Sequence, residues 1–403
     1  MAGAGGAGVR QVSIEAVDRR ARGLRRERAE AYGLLGLLRG IDWVLLGAVA
    51  ALVAYGLIAI DGITRNDPGG SALERQAAYA AVGAFFLVVA VLVNPALYRR
   101  FSRLIYLSTL AVMVLVLVGG VATRGSKRWI ELGFFRFQPS EFGKVLFALF
   151  LAAFLADRAK RLDDLRVPLG AVTLAAGPVL LVFLQPDLGT ALVYAAVLAA
   201  VLFVSGVRWL HLGLIGAAAL AVALALLWWL PSAGVNVLKP YQTARLTGFT
   251  HPDSDPSGAT YNINQSITAV GSGGLRGRGI TGATQTRLDY LPEHATDFAF
   301  ASLAEQRGFF GAAILLLLYL VVVWRGLRIV TGAGDLFGAI AAGGIVFALL
   351  FQVFVNVGMT IGVAPITGIP LAFVSVGGSA MIANLTAIGI LLAIHARGRR
   401  RWA

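Results

Sequence analysis

The sequence predicts an all-α, polytopic integral membrane protein with about ten transmembrane helices. Both termini are expected to be cytoplasmic, with one large extracytoplasmic loop between helices 7 and 8. Three observations carry this expectation. Of 403 residues, 58% are hydrophobic and only 14% are charged, against about 25% charged in an ordinary soluble domain; mean hydropathy is +0.76. The apolar residues gather in runs that approach the roughly 20 residues a helix needs to cross a hydrocarbon core of about 30 Å. The 35 Lys and Arg, set against 21 Asp and Glu, are placed in the way that orients such helices. Together these exclude a disordered chain, a coiled coil and most soluble enzymes. The absence of Cys removes disulfides, thiolate metal sites and cysteine nucleophiles.

Residues 1–40 form a basic arm, rich in Arg and Glu and without the apolar stretch of a signal peptide. It is expected on the cytoplasmic side, near anionic lipid. Its cluster of Arg19, Arg20, Arg22, Arg25, Arg26 and Arg28 could suit nucleic acid, but topology already explains it, and no nucleic-acid partner is expected. The membrane domain, 41–396, holds ten predicted spans: 43–60, 77–94, 104–122, 140–156, 168–184, 188–206, 209–230, 298–324, 336–356 and 370–394. Only Gln185-Pro186-Asp187 separates the fifth from the sixth, so they form a tight hairpin. A basic tail, 397–403, closes the chain. With the N-terminus inside, 22 of the 35 Lys and Arg lie in cytoplasmic segments, 11 in outward-facing loops and two, Lys144 and Arg307, inside spans. That bias supports the orientation.

Two outward loops depart from the pattern. The first, Thr123 to Pro139, carries Arg124, Lys127, Arg128 and Arg136 among Trp129, Phe134, Phe135 and Phe137. Aromatic residues at the lipid boundary with cations beside them suit either simple anchoring or an anionic headgroup. The second, 231–297, is too long for a plain connection. Tyr261 to Val270 reads as a short interfacial helix, and it runs into the glycine-rich stretch Gly271–Gly279 with Arg276 and Arg278. Glycines of this density could let backbone N–H groups approach an anion, or could simply form a flexible turn. Gly277 to Gly282 also fits G-x-G-x-x-G, but no strand precedes it, so the dinucleotide reading fails.

Ionisable residues at membrane depth are functional candidates. Glu141 and Lys144 stand at i, i+3 and can pair on one helix face, as structure or as chemistry. Asp187 could cap the sixth span. Asp297, where the long loop enters the eighth span after Pro292-Glu293-His294-Ala295-Thr296, could be a general base or a helix cap. Glu305 and Arg307, deeper in that span, need partners in the bundle.

Several separated blocks resemble the SEDS family (shape, elongation, division and sporulation), the polytopic proteins that include RodA, FtsW and SpoVE. They are Arg75-Gln76; Arg128-Trp129-Ile130 with Gln138-Pro139-Ser140-Glu141 and Lys144; Gln185 to Thr190; Tyr241-Gln242 with Arg245; Tyr261 with Gln265-Ser266 and the glycine run; Leu291 to Glu293 with Thr296-Asp297-Phe298; Pro365 to Pro370; and Ser375 to Ser379. The resemblance runs from about Ile41 to the C-terminus. It implies a peptidoglycan glycosyltransferase of the bacterial cytoplasmic (inner) membrane that polymerises lipid II on the outer face. It also implies a class B penicillin-binding protein (a transpeptidase) as partner, contacts with undecaprenyl lipids and membership of an elongation complex. The family's essential acidic residue falls on Asp297, its sensitive pair on Glu141 and Lys144, and further sensitive positions on Arg75, Gln265 and Ser266. There are departures. The residue before Thr-Asp, usually His, is Ala295 here, with the imidazole one place earlier at His294. Gln306 stands where a second Glu is common, and Ala372 and Val376 replace a frequent Pro and Tyr. The loop wording Ser272 to Gly277 looks more like the RodA branch.

The expected reaction joins a sugar C4 hydroxyl to C1 of a donor whose leaving group is a polyprenyl diphosphate. Asp297 is the candidate base. The candidates for holding the diphosphate are Arg75, Arg124, Lys127, Arg128, Arg245, Gln265, Ser266, Arg276 and Arg278. No dedicated metal-ligand cluster is visible, and the chemistry leaves room for a divalent cation, Mg or Mn. Two rival classes remain: a lipid II flippase using Glu141, Lys144, Glu305 and Arg307 as a polar path, and a non-catalytic scaffold of the wall-synthesis machinery.

Overall fold

The computed structural model describes residues 34–65, 72–123, 126–132, 135–235 and 259–398. The expectations for most of the N-terminal arm, for 236–258 of the long loop, for Arg124 and Arg245, and for the tail beyond Gly398 lie outside the described residues.

The chain is a helical bundle. Its spanning helices are α1 (Trp43–Ile63), α2 (Ala72–Leu92), α3 (Ser102–Gly119), α4 (Pro139–Ala156), α5 (Arg166–Leu184), α6 (Leu188–Val204) and α7 (Trp209–Leu224). An amphipathic helix of the outer loop, α8 (Ala259–Gly273), precedes the last three spans, α9 (Ala299–Thr331), α10 (Leu336–Thr360) and α11 (Gly378–Gly398). Among the described residues nine helices are long and apolar enough to cross a membrane; α7 reaches that length through a π turn and one further short turn ending at Ser232. The tenth, α6, has 17 residues, or about 25 Å at 1.5 Å per residue, within the range of a spanning helix. The expected ten-span frame is therefore recovered, with α8 where the interfacial helix was expected.

Burial sorts these helices. α4, α10 and α11 are enclosed, while α3 and α7 turn most of their surface outward. The enclosed helices carry the polar side chains: Glu141 and Lys144 on α4, Gln352 and Asn356 on α10, Ser379 and Asn384 on α11. The peripheral ones offer Leu104, Leu107, Leu115, Leu214, Leu220 and Trp228 to the surroundings, as lipid-facing helices do. α11 packs along α2, α9 along α1, and α10 fills the space between α4, α6 and α9.

Four features differ from the sequence expectation. The connection after α3 folds into a three-stranded antiparallel sheet, β1 (Val121–Thr123), β2 (Ser126–Leu132) and β3 (Phe135–Phe137), with Val121 opposite Trp129 and Ile130 opposite Phe137. α2 begins five residues earlier than the predicted span, which brings Arg75 and Gln76 onto its first turns. α9 is longer than predicted and breaks at Gly308, which has φ 65°. Finally, the predicted tenth span started at 370, but the helix starts at Gly378. Residues 361–377 are irregular backbone wedged into the outer half of the bundle. Pro365 and Pro370 cannot donate to a helix ladder, and Phe373 takes φ 68°. Leu371, Ala372, Phe373 and Val374 are nevertheless almost fully buried. Hydropathy cannot distinguish such a segment from a helix, because both are apolar; non-helical backbone is tolerated at this depth when protein surrounds it.

Candidate functional site

Asp297 sits in a turn at the outer end of α9. The turn begins at Leu291 and includes Glu293, whose φ is 56°. The backbone N–H groups of Thr296 and Phe298 donate to the Glu293 carbonyl at 3.1 and 3.2 Å, and the Thr296 hydroxyl donates to Glu293 Oε2 at 2.7 Å. His294 Nδ1 lies 3.3 Å from the Leu291 carbonyl and 3.5 Å from Asp289 Oδ1. Ser302 Oγ donates to the His294 carbonyl at 3.1 Å. Phe298, the N-cap residue of α9, is buried. The cap position thus falls one residue beyond Asp297, whose side chain is half-buried at the mouth of the bundle.

The wedged segment supports this turn from the opposite side. Val376 N donates to the Ala295 carbonyl at 2.9 Å. Asn356 Nδ2 donates to the carbonyls of Asp297 and Ile369 at 2.9 and 2.8 Å. The segment is itself gripped by Gln76, which donates through Nε2 to the Ser375 carbonyl at 3.0 Å and accepts from Gly377 N at 3.1 Å. The Tyr319 hydroxyl donates to the Ala372 carbonyl. The Phe373 carbonyl packs against Gly56, where a Cβ would collide with it. Arg75, next to Gln76, is exposed on the same rim.

A second cluster ties the sheet to the α5–α6 turn. Arg128 Nε donates to the Gln185 carbonyl at 2.9 Å, a second guanidinium nitrogen donates to the Pro186 carbonyl, and the third lies 3.6 Å from Asp187 Oδ2. Asp187 caps α6 through Thr190 N at 3.1 Å, as one sequence reading allowed, and also accepts from Gln138 Nε2 at 3.2 Å. Ser379 Oγ accepts from Gln138 N and donates to the Arg136 carbonyl, each at 2.9 Å. Arg128, expected at the diphosphate, is engaged as a clamp within the protein. Its partner is 59 positions away along the chain, so the sign of its charge alone could not reveal it.

The glycine-rich stretch, which the sequence left open between an anion cradle and a flexible turn, lies against the break in α9. Phe309 N and Phe310 N donate to the carbonyls of Gly274 and Leu275 at 2.8 and 3.2 Å, and Arg278 N donates to the Glu305 carbonyl at 2.9 Å. Gly277, at φ 80°, crosses Gly308 so closely that a Cβ on either would meet the other strand's backbone. The glycines let backbone meet backbone at the break in α9. Glu305, fully buried, accepts from Gln285 N, Thr286 N and Thr286 Oγ1 at 2.9, 2.9 and 2.7 Å. It therefore fixes the loop helix Thr284–Arg287 to α9. Arg307 lies over the Tyr55 ring. Arg276 and Arg278 are exposed, and Arg278 Nε donates to the Ser272 carbonyl at 2.9 Å.

Of the remaining candidates, Ser266 is buried and donates to the Thr360 carbonyl at 2.8 Å, pinning α8 to α10, while Gln265 is half-buried. Lys127 lies on β2, but its side chain is outside the description. Glu141 and Lys144 form the expected i, i+3 pair at 2.7 Å, both buried. Lys144 also lines a small cavity with Gln352, Phe373 and Asn384 beneath the wedged segment. Among the described residues no group of three or more Asp, Glu or His is placed to hold a metal ion. Asn356, Gln352 and the structural roles of Gln76 and Ser379 escaped the sequence reading. Their signal was there: single amides and hydroxyls inside otherwise apolar spans.

Comparison with known proteins gives a consistent picture. The family model described as cell cycle protein, covering FtsW, RodA and SpoVE, matches residues 37–400. The chain is 39% identical over 357 residues to peptidoglycan glycosyltransferase MrdB of Escherichia coli K12, covering 88% of this chain and 93% of that protein. It is 36% identical over 371 residues to stage V sporulation protein E of Bacillus subtilis, covering 90% and 97%. A solved chain described under structural coordination of polymerization and crosslinking by a peptidoglycan synthase complex superposes with TM-score 0.76 at 32% identity, over 89% of this chain and 98% of that one. The crystal structure of the rod shape determining protein RodA of Thermus thermophilus gives TM-score 0.63 at 29% identity, over 90% and 98%.

Proposed function

The chain belongs to the FtsW/RodA/SpoVE family of cell cycle proteins, and from that premise we propose that Asp297 is the general base of a glycosyl transfer from lipid II. The protein is a peptidoglycan glycosyltransferase and a multi-pass protein of the bacterial inner membrane. Its likeness to MrdB and RodA supports a role in cell elongation.

A sugar hydroxyl is a weak nucleophile. As its oxygen bonds to C1 of the donor, its proton must leave, and a positioned carboxylate contributes roughly 10²–10⁴-fold. In this reading Asp297 takes that proton while the bond from C1 to the undecaprenyl diphosphate breaks and the electron pair departs with the diphosphate. The observation that carries the reading is the turn itself: a half-buried carboxylate at the outer boundary, on a backbone held by Glu293, Ser302, Val376 and Asn356. Developing charge on the leaving group needs cations already in place. Arg75, Arg276 and Arg278, exposed on the outer rim, are the described candidates. Mg or Mn is proposed only as a companion of the substrate's own diphosphate oxygens, since the described residues bring no set of three carboxylates or imidazoles together.

The partner we propose is a class B penicillin-binding protein, within a complex of elongation proteins. The solved chain that superposes with TM-score 0.76 comes from work on a complex that coordinates polymerization with crosslinking. Of the residues a flippase path would use, Glu141 is paired with Lys144 and Glu305 accepts from the Thr286 loop, which favours the polymerase reading.

The test supplies lipid II to the full chain together with its transpeptidase and compares wild type with Asp297→Asn. Wild type should make glycan strands, and the variant should lose about 10²–10⁴-fold in rate. Strand synthesis by the variant at the wild-type rate would sink the base assignment. Lipid movement across the bilayer without polymerisation would favour transport, and neither activity would favour a scaffold.

A further inference from the structure

We propose that Asn356 is the positioning residue for Asp297, holding the catalytic turn against the wedged segment 361–377 from within the bundle; this rests on Asp297 acting as the base. Asn356 lies on α10, four residues before the helix ends at Thr360, and is fully buried. Its single amide nitrogen donates to two carbonyls, those of Asp297 at 2.9 Å and Ile369 at 2.8 Å. These belong to segments 59 and 13 positions away in the chain. Both amide hydrogens are thereby committed. The other end of the same amide, Oδ1, is buried without a hydrogen-bond partner in the protein.

That asymmetry shows what the side chain supplies. A buried acceptor left unsatisfied is unfavourable, so an amide at this position contributes through its two donated bonds. Those bonds are not local to α10: every N–H and C=O of the helix interior is already served by its own ladder. One bond ends on the backbone of the residue that carries the carboxylate. Asp297 is in a turn, and the peptide plane that follows it is held not by a helix ladder but by Phe298 N on the Glu293 carbonyl and by Asn356 on its own carbonyl. Rotation of that plane would swing the carboxylate relative to the sugar hydroxyl, and a misplacement of about 1 Å can cost about 10²-fold in rate. The second bond fastens the same amide to Ile369, in the segment that also holds Ala295 through Val376 N. The irregular stretch therefore braces the turn directly at Ala295, and Asn356 links the same stretch to Asp297 itself. Gln76 does the same for the far end of the stretch, at Ser375 and Gly377, but reaches Asp297 only through it.

The experiment uses the full chain with its transpeptidase and lipid II, and reads kcat, KM and the thermal midpoint in detergent for Asn356→Ala, Asn356→Ser and Asn356→Asp. The alanine variant should lose about tenfold to hundredfold in kcat. Its KM should stay within about twofold, because Asn356 touches none of the groups proposed to bind substrate. Asn356→Asp keeps the shape but replaces the donor with an acceptor and should be at least as impaired. Asn356→Ser, which keeps one donor, should recover part of kcat; it is read in the same way if the alanine variant fails to accumulate. In an Asp297→Glu background the carboxylate is already displaced, so Asn356→Ala should reduce kcat less than it does in the wild type.

An unchanged kcat in Asn356→Ala while Asp297→Asn is inactive would overturn the positioning role alone. Equal losses in the wild-type and Asp297→Glu backgrounds, tracking a lowered thermal midpoint, would do so as well, by showing a structural role only. Full activity of Asp297→Asn would instead remove the base assignment beneath it.

Discussion

The cytoplasmic and outer halves of the bundle are made of the same helices but are joined in different ways. On the cytoplasmic side the connections are short, at 93–101, 157–165, 205–208 and 332–335. Their polar contacts are mostly surface pairs, such as Arg99 with Asp157 and Arg208 with Asp163, both at 2.7 Å. A deeply placed contact there is that of Asp42, which caps α1 through Leu45 N and holds Arg325 of α9 at 2.6 Å. On the outer side the backbone leaves the helix repeatedly, in the sheet, the glycine crossing, the Asp297 turn and the wedged segment. Side chains tie these stretches into the bundle: Arg128 holds the α5–α6 turn, Glu305 the Thr284–Arg287 loop, Asn356 the Asp297 turn and Gln76 the wedged segment, while the glycine crossing is closed backbone to backbone. Helices alone could anchor a membrane protein. Chemistry at its outer face needs backbone that is not helical, and at this depth every such group must find a partner inside the protein.

This comparison can be broken in three places. The largest effect is expected on the outer side. Glu305→Ala removes the acceptor of three hydrogen bonds in a site closed to water. It should lower stability by about 3–5 kcal/mol and abolish polymerisation with it, read as the thermal midpoint in detergent and as glycan strand yield. Asp42→Ala, on the cytoplasmic side, leaves Arg325 without its carboxylate. Because Arg325 keeps 17% of its side chain exposed, the loss should be smaller, about 2–3 kcal/mol. The activity per folded molecule should be unchanged; a fall in kcat there would mean that the two halves are coupled. The smallest effect is Arg99→Ala. That pair is about half exposed, 45% and 53%, so its removal should shift stability by less than about 1 kcal/mol, with no change in activity. A large shift would contradict the division drawn between the halves.

The spans were legible because crossing lipid imposes a length and a hydropathy that composition cannot hide. Where the reading went astray, two physical situations share one composition. Residues 370–377 are as apolar as a helix but buried in protein rather than in lipid. The aromatic and basic residues of 126–132 and 135–137 suited lipid anchoring or an anionic headgroup, and the sheet they build, with Arg128 facing Asp187, has no signature in composition. At the site, Asp297, Glu141 and Lys144 could be singled out because charge at membrane depth is costly and therefore informative. Asn356 and Gln76 stand out in the sequence only as amides in apolar spans; an amide carries no charge, and its role lies in which distant carbonyl it meets.

Gln76 and Ser375 are separated by 299 positions, and Gln76 and Gly377 by 301. A chain emerging N-terminus first presents Gln76, and later Asp297, before either can meet the bracing segment, which is translated only just ahead of the final helix. A nascent or truncated chain that stops after α9 would therefore carry the carboxylate without its frame. Catalytic competence is in this sense a late event of biogenesis, tied to completion of the polypeptide.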